Sequence, residues 1–143
     1  MAGFAVMEER EARGFIMKNL GLITKNKVLA QSLASLIKNN PDLEFNPFTL
    51  LNFRQAALDA EVLKIDVAVI EMLEGTSRET GITLSLCEEL RQVAPDCMIL
   101  LLIPQDNKEG RDMAMTATKR KAADDYVFLD SSLDYLLAKL LAF

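Results

Sequence analysis

The chain has 143 residues, half of them apolar and 26% charged, with a net charge of −5 and no histidine or tryptophan. That is one domain's length, enough to bury a core without disulfides or metal. The absent histidines exclude Ser-His-Asp and Cys-His catalysis, imidazole metal ligation and a histidine phosphocarrier. The acidic balance argues against non-specific nucleic-acid binding, which needs a basic face to release counterions.

Near the start, Gly3-Phe4-Ala5-Val6-Met7 is too short for a signal-peptide core and is interrupted by Glu8-Glu9-Arg10-Glu11. Met17-Lys18 reads as a second start directly before the first strand. Residues 1–16 are therefore read as a leader or N-terminal extension, and 17–143 as a single domain.

Asn19-Leu20-Gly21-Leu22-Ile23-Thr24 is a strand-length, mostly apolar run. Val28, Leu29, Leu33, Leu36 and Ile37 follow at helical spacing, and Asn39-Asn40-Pro41 ends that helix. Leu43-Glu44-Phe45 alternates as a short edge strand, and Phe48 to Leu63 is helix-like through Leu51, Phe53, Ala57, Leu58 and Val62. The β-branched apolar centre of Asp66 to Glu71 predicts a strand covered on both faces.

Thr76 and Glu79 have capping-box spacing, with Gly81 as the alternative helix start. Ile82, Leu86, Cys87, Leu90 and Val93 carry that helix to Ala94-Pro95-Asp96. Cys97 to Ile103 is a second fully buried strand, stopped by Pro104. Lys108 to Ala122 is a helix with a weak apolar side, Met113 and Ala117. Its basic end, Lys119-Arg120-Lys121, reads as a helix C-terminus complementing its own dipole rather than a nucleic-acid patch. The acidic pair Asp124-Asp125 just beyond favours that reading. Tyr126 to Leu129 is a fifth strand, and Ser131-Ser132 caps a last helix whose Leu133, Leu136, Leu137, Leu140 and Leu141 form a core-facing stripe.

Strands alternating with helices around buried central strands predict an α/β (βα)5 doubly wound parallel sheet. Cys87 and Cys97 lack CxxC spacing and read as buried free thiols of a reducing compartment. No apolar run reaches the ~18–20 residues of a membrane span, so a cytoplasmic address is expected. Neither GxxxxGK[ST] nor GxGxxG occurs, so a nucleotide-binding reading lacks its residues. A flavodoxin-like redox protein would need a Ser/Thr/Gly-rich phosphate loop where this chain has Thr24-Lys25-Asn26-Lys27.

Several stretches occur in order on matching elements. They are Asn40-Pro41-Asp42-Leu43-Glu44, Gly81-Ile82 through Glu89-Leu90-Arg91, Ala94-Pro95-Asp96, and Ala123-Asp124-Asp125-Tyr126-Val127. From about Lys18 to Phe143 the chain thereby resembles the receiver domain of two-component response regulators, the CheY-like group. The resemblance implies a flavodoxin-like sheet of order 2-1-3-4-5 with its site on the carboxyl rim. It also implies phosphorylation of an aspartate ending strand three, assisted by Mg²⁺ on two acidic residues ending strand one. A Ser or Thr ending strand four and a Lys ending strand five would hold the transferred group.

This sequence departs at each of those positions. The acidic pair falls on Thr24 and Lys25, and the phosphoacceptor on Glu71. The Ser/Thr position falls on Ile103 (Leu102 if the register slips by one). The lysine falls on Leu129, followed by Asp130 in place of the usual proline, while Tyr126 keeps the aromatic switch position. A divalent ion beside the Lys25 ammonium is electrostatically disfavoured, and an ion pair between Lys25 and Glu71 is expected instead, worth ~0–1 kcal/mol. Residual Mg²⁺ ligation would draw on Glu71, Glu74 and Asp106. Glu71 either imitates a phosphorylated aspartate or is a polar rim residue of a site without its chemistry. With no Ser/Thr or Lys to grip the imitation, the second reading is preferred.

The expectation is a pseudo-receiver: not an enzyme, with no cofactor and no metal, acting in signal transduction through protein partners. A homodimer through helix four, strand five and helix five is expected, with no direct nucleic-acid binding and no membrane contact. One alternative is a targeting or assembly module of a pilus-assembly system with a ParA-type ATPase. Another is the receiver of a truncated DNA-binding transcriptional regulator.

Overall fold

Strands and helices alternate through the residues that the computed structural model describes, 17–73, 77–104, 107–129 and 133–142. In chain order these are β1 (Lys18–Ile23), α1 (Lys27–Lys38), β2 (Phe45–Leu50), α2 (Ala56–Val62) and β3 (Val67–Glu71). They continue with α3 (Ser77–Val93), β4 (Met98–Ile103), α4 (Lys108–Lys119), β5 (Asp125–Phe128) and α5 (Leu133–Leu141). All pairings are parallel and the strand order is β2-β1-β3-β4-β5, the doubly wound sheet expected from the sequence. The expected leader 1–16, the capping residue Thr76 and the Ser131-Ser132 cap lie outside the described residues. Among those described, no helix is long and apolar enough to cross a membrane.

Side chains alternate across each strand, so the sheet has two apolar faces. Ile23, Ala68, Ile70, Ile99, Leu101 and Ile103 pack under α2, α3 and α4. Leu20, Leu22, Val67, Val69, Leu100, Leu102 and Val127 pack under α1 and α5. This explains the unbroken hydrophobic runs of β3 and β4: neither face reaches water.

The second βα unit differs from the sequence expectation. Residues 45–50 form a strand rather than the start of a helix, and α2 begins only at Ala56. Pro47 holds Asn46 in extended backbone, and all of β2 pairs with β1. Asn52 then breaks the chain direction: its side chain accepts the Arg54 N–H at 3.0 Å and its carbonyl the Gln55 N–H at 3.1 Å. As an edge strand, β2 can carry a proline.

The helix faces also differ in detail. On α1 the buried residues are Ala30, Leu33 and Ile37, whereas Val28 is 72% exposed and Leu36 is on the surface. On α3, Leu86, Cys87 and Leu90 are buried with Thr83, but Ile82 and Val93 are exposed, and Gly81 lies inside the helix rather than at its start. On α4 the core contact is made by Gly110, Ala114 and Ala117, with Met113 half-buried. On α5, Leu136 and Leu140 are buried and Leu141 is exposed. On α1, α3 and α5 the apolar stripe is wider than the face that the sheet covers, whereas on α4 small residues widen the contact beyond Met113 and Ala117.

The amino ends of the strands are held by two carboxylates used alike. Asp66 accepts the Asn19 N–H at 2.7 Å and returns its own N–H to the Asn19 carbonyl at 2.8 Å. Asp124 accepts the Ile99 N–H at 2.7 Å and donates its N–H to the Ile99 carbonyl at 2.9 Å. Arg91, near the end of α3, then joins Asp124 at 2.8 Å, the Cys97 carbonyl at 2.9 Å and the Lys121 carbonyl at 3.3 Å. One guanidinium thus ties α3, β4 and the α4–β5 turn.

Helices α2 and α4 end in the same way, with a lysine in left-handed backbone: Lys64 at φ 55° and Lys121 at φ 62°. The following residue bonds back across the helix end, Ile65 N–H to the Ala60 carbonyl and Ala122 N–H to the Ala117 carbonyl, both at 2.9 Å. This is the termination that glycine usually supplies. The basic run 119–121 is therefore a helix terminus, as read from the sequence.

Because a β-carbon is strained in that conformation, Lys121→Gly is expected to raise stability by about 0.5–1 kcal/mol, after the added unfolded-state entropy is subtracted; urea unfolding measures it. Cys87 and Cys97 are buried free thiols, and burial pushes both up to about 12, against a smaller opposing pull from Arg91. They are protonated at neutral pH and should react with an aromatic disulfide reagent at pH 8 only after denaturant is added. A thiol whose pKa is raised on folding stabilises the native state below its unfolded pKa of about 9 and loses that contribution as pH climbs toward 12.

Candidate functional site

Parallel strands bring their carboxyl ends to one rim, and the register there is explicit. Ile23 pairs with Ile70, so the next residues, Thr24 and Glu71, come side by side across β1 and β3. Glu71 in turn pairs with Leu102 of β4, and Ile103 with Phe128 of β5.

Thr24 is buried and uses its hydroxyl twice. It donates to Glu71 Oε1 at 2.6 Å and accepts the Asn26 N–H at 2.9 Å. Asn26 caps α1 by accepting the Leu29 N–H at 3.0 Å. The carboxylate ending β3 is thus connected through one hydroxyl to the first turn of α1.

The expected ion pair between Lys25 and Glu71 does not form. Among the described residues neither side chain has an ionic partner, although both line the same open cleft of about 350 Å³ with Asn26, Met72, Leu73 and Pro104. The reason is geometric and entropic. Thr24 is the residue in register with Glu71 and reaches it with a short, stiff side chain. Lys25 is one position farther into the loop and remains exposed; fixing its long side chain would cost more than the ~0–1 kcal/mol of a solvated pair.

Ile103 is buried at the end of β4, and the buried Pro104 follows it. Leu129 is half-buried just after β5, its N–H bonded to the Ile103 carbonyl at 2.8 Å. The side chains that close this half of the rim are therefore apolar. Tyr126 is half-buried within β5 and stands edge-on to Phe128, ring centroids 5.8 Å apart. The sequence-read positions Thr24, Lys25, Glu71, Ile103 and Leu129 all lie at the carboxyl rim. Glu74, Asp106 and Asp130 lie outside the described residues.

A second set of rim residues was not singled out from sequence. Asn107 caps α4 by accepting the Gly110 N–H at 2.9 Å, and its amide reaches the Leu73 carbonyl at 3.3 Å. It therefore joins the segment after β3 to the start of α4. A β-carbon on Gly110 would lie 2.5 Å from Asn107 Nδ2 and 2.8 Å from Met72 Cγ, so any side chain here would displace the Asn107 amide and Met72. An asparagine immediately before a helical pattern was the available signal.

No protein-family model and no curated protein matches the sequence. Solved structures do. The chain aligns with a response regulator protein from Burkholderia pseudomallei, bearing a phosphorylated aspartic acid and a calcium ion, at a TM-score of 0.67 and 25% identity. The alignment covers 86% of this chain and 66% of that one. Further response-regulator receiver domains align at TM-scores of 0.65 to 0.69. The chain folds as a CheY-like receiver domain. The same fold is shared with an adenylate cyclase structure from Rhodopirellula baltica, at a TM-score of 0.71 and 14% identity over 89% of this chain and 87% of that one. It is shared also with a protein of Burkholderia pseudomallei described as pilus-assembly-related, at 0.61 and 17% over 88% and 90%. At these last identities the likeness is one of fold alone.

In this receiver fold the Thr24–Glu71 bond is the one direct side-chain link between β1 and β3 at the rim among the described residues. Thr24→Val, which keeps shape and removes the hydroxyl, is expected to destabilise the domain by about 1.5–3 kcal/mol, the usual worth of a hydrogen bond to a charged group. Chemical denaturation at pH 7 measures the loss.

Proposed function

We propose that the chain is a receiver-like signalling module that works through protein contacts without aspartyl phosphorylation, and that it is not an enzyme. The observation that carries this reading is the Thr24–Glu71 hydrogen bond. It engages, within the fold, the carboxylate at the position where the family keeps its phosphoacceptor. The surroundings support it. Among the described residues, an oxygen-seeking divalent ion in this cleft would meet one engaged carboxylate, an asparagine amide already capping α1, and the Lys25 ammonium, a donor set that does not fit Mg²⁺. A phosphoryl group on β3 would find Ile103 and Leu129 where it needs a hydroxyl and an ammonium.

A second reading draws on the likeness to the pilus-assembly-related structure: a targeting or assembly module of a system with a ParA-type ATPase. The reading frame beyond Phe143 separates the two. A Walker A motif there supports assembly, and a helix-turn-helix supports transcriptional control.

Incubation with a small acyl phosphate and Mg²⁺ tests the main reading, with a phosphorylatable receiver run in parallel. Intact-mass spectrometry is expected to show no adduct on this chain. A phosphoryl adduct at Glu71, or a spectroscopic response to millimolar Mg²⁺, overturns it.

A further inference from the structure

We propose that the groove between the β2–α2 connection and α3 is a self-association surface, in which α3 of a second copy lies antiparallel to α3 of the first. The inference rests on the reading that this module acts through protein partners, and it names one of them.

The groove holds about 400 Å³, and α3 contributes Arg78, Gly81, Ile82, Ser85, Leu86 and Glu89 to its lining. The β2–α2 connection contributes Phe53 and the exposed Arg54, and the buried Phe53 and Leu86 form an apolar floor. Ile82 is 40% exposed beside it. Above Gly81 there is open space: apart from its chain neighbours and the backbone of its own helix, no atom lies within 4 Å of where a β-carbon would stand. The cleft is thus shaped to admit a ridge of side chains.

The six α3 residues are self-complementary. At 3.6 residues per turn, Arg78, Ile82, Ser85 and Glu89 fall on one stripe, with about 16 Å from the first to the last. A two-fold axis crossing this stripe between Thr83 and Leu84 sets Arg78 against Glu89 of the partner subunit. The same axis sets Ile82 against Ser85 of the partner subunit, and Gly81 against Leu86 of the partner subunit. Every lining position on α3 is thereby matched to another lining position, small against large and cation against anion, and each match occurs twice. That is the requirement of an isologous interface.

Unpaired charge is present on this surface, as it also is on the α4–β5–α5 face at Arg111 and Asp112. Among the described residues neither Arg78 nor Glu89 has an ionic partner within the chain. On the other face Asp125 is already bonded to Lys139, which also stands 5.7 Å from the centre of the Tyr135 ring.

Charge reversal tests the register. Sedimentation equilibrium of the 143-residue chain is expected to show a dimer. Arg78→Glu and Glu89→Arg should each raise its Kd at least about tenfold, with circular dichroism unchanged. Mixing these two single variants in equal amounts should restore a heterodimer, because every contact then again joins opposite charges. A wild-type chain still monomeric at ~100 μM, single variants that retain the wild-type Kd, or a mixture that stays monomeric would overturn the proposal. Dissociation by Tyr135→Glu, with Arg78→Glu silent, would overturn it in favour of the α5 face. None of these outcomes bears on phosphoryl transfer, so this inference can fail while the unphosphorylated module stands.

Discussion

A parallel sheet covered by helices on both faces leaves polar chemistry only its two rims. Everything distinctive about this chain follows from that constraint and from the register that β1, β3 and β4 adopt under it. With Ile23 opposite Ile70 and Glu71 opposite Leu102, the first residue beyond β1 must meet the last residue of β3. What those two residues are decides what the carboxyl rim does. Here they are a hydroxyl and a carboxylate, which satisfy each other.

The consequence extends beyond one bond. Thr24 passes the connection to the cap of α1 through Asn26, and Asn107 fastens the segment after β3 to the start of α4. The carboxylate therefore lies between two helix N-termini that are both already capped by asparagine side chains. These bonds tie β1, β3 and the starts of α1 and α4 to one another. At the opposite rim Asp66 and Asp124 act similarly, each returning two hydrogen bonds to a neighbouring strand. The fold is thus fastened at both ends.

The fold was legible because its strongest signals are non-local burial patterns. Strands β3 and β4 announce themselves as unbroken apolar runs, and such runs with amphipathic segments between them admit few topologies. The second unit was misread because Leu51, Leu58 and Val62 have helical spacing yet are exposed, so the periodicity there reflects surface residues. The positions at the carboxyl rim are readable from sequence because they sit at strand ends, where the apolar runs stop. The partner of Glu71 was not, because charge alone favoured Lys25, and the choice between adjacent residues depends on which one the strand carries inward. Asn107 and Gly110 were missed since their meaning lies in a crossing between segments more than thirty residues apart.

Pro47 has an effect that reaches outside the molecule. The carbonyls of Glu44 and Leu50 bond to β1, so in a parallel ladder the odd-numbered residues between them turn their backbone groups toward the open side. The imino nitrogen of Pro47 thus sits where an incoming chain would look for a donor. One proline at the sheet margin guards against runaway strand-on-strand stacking and fibre growth.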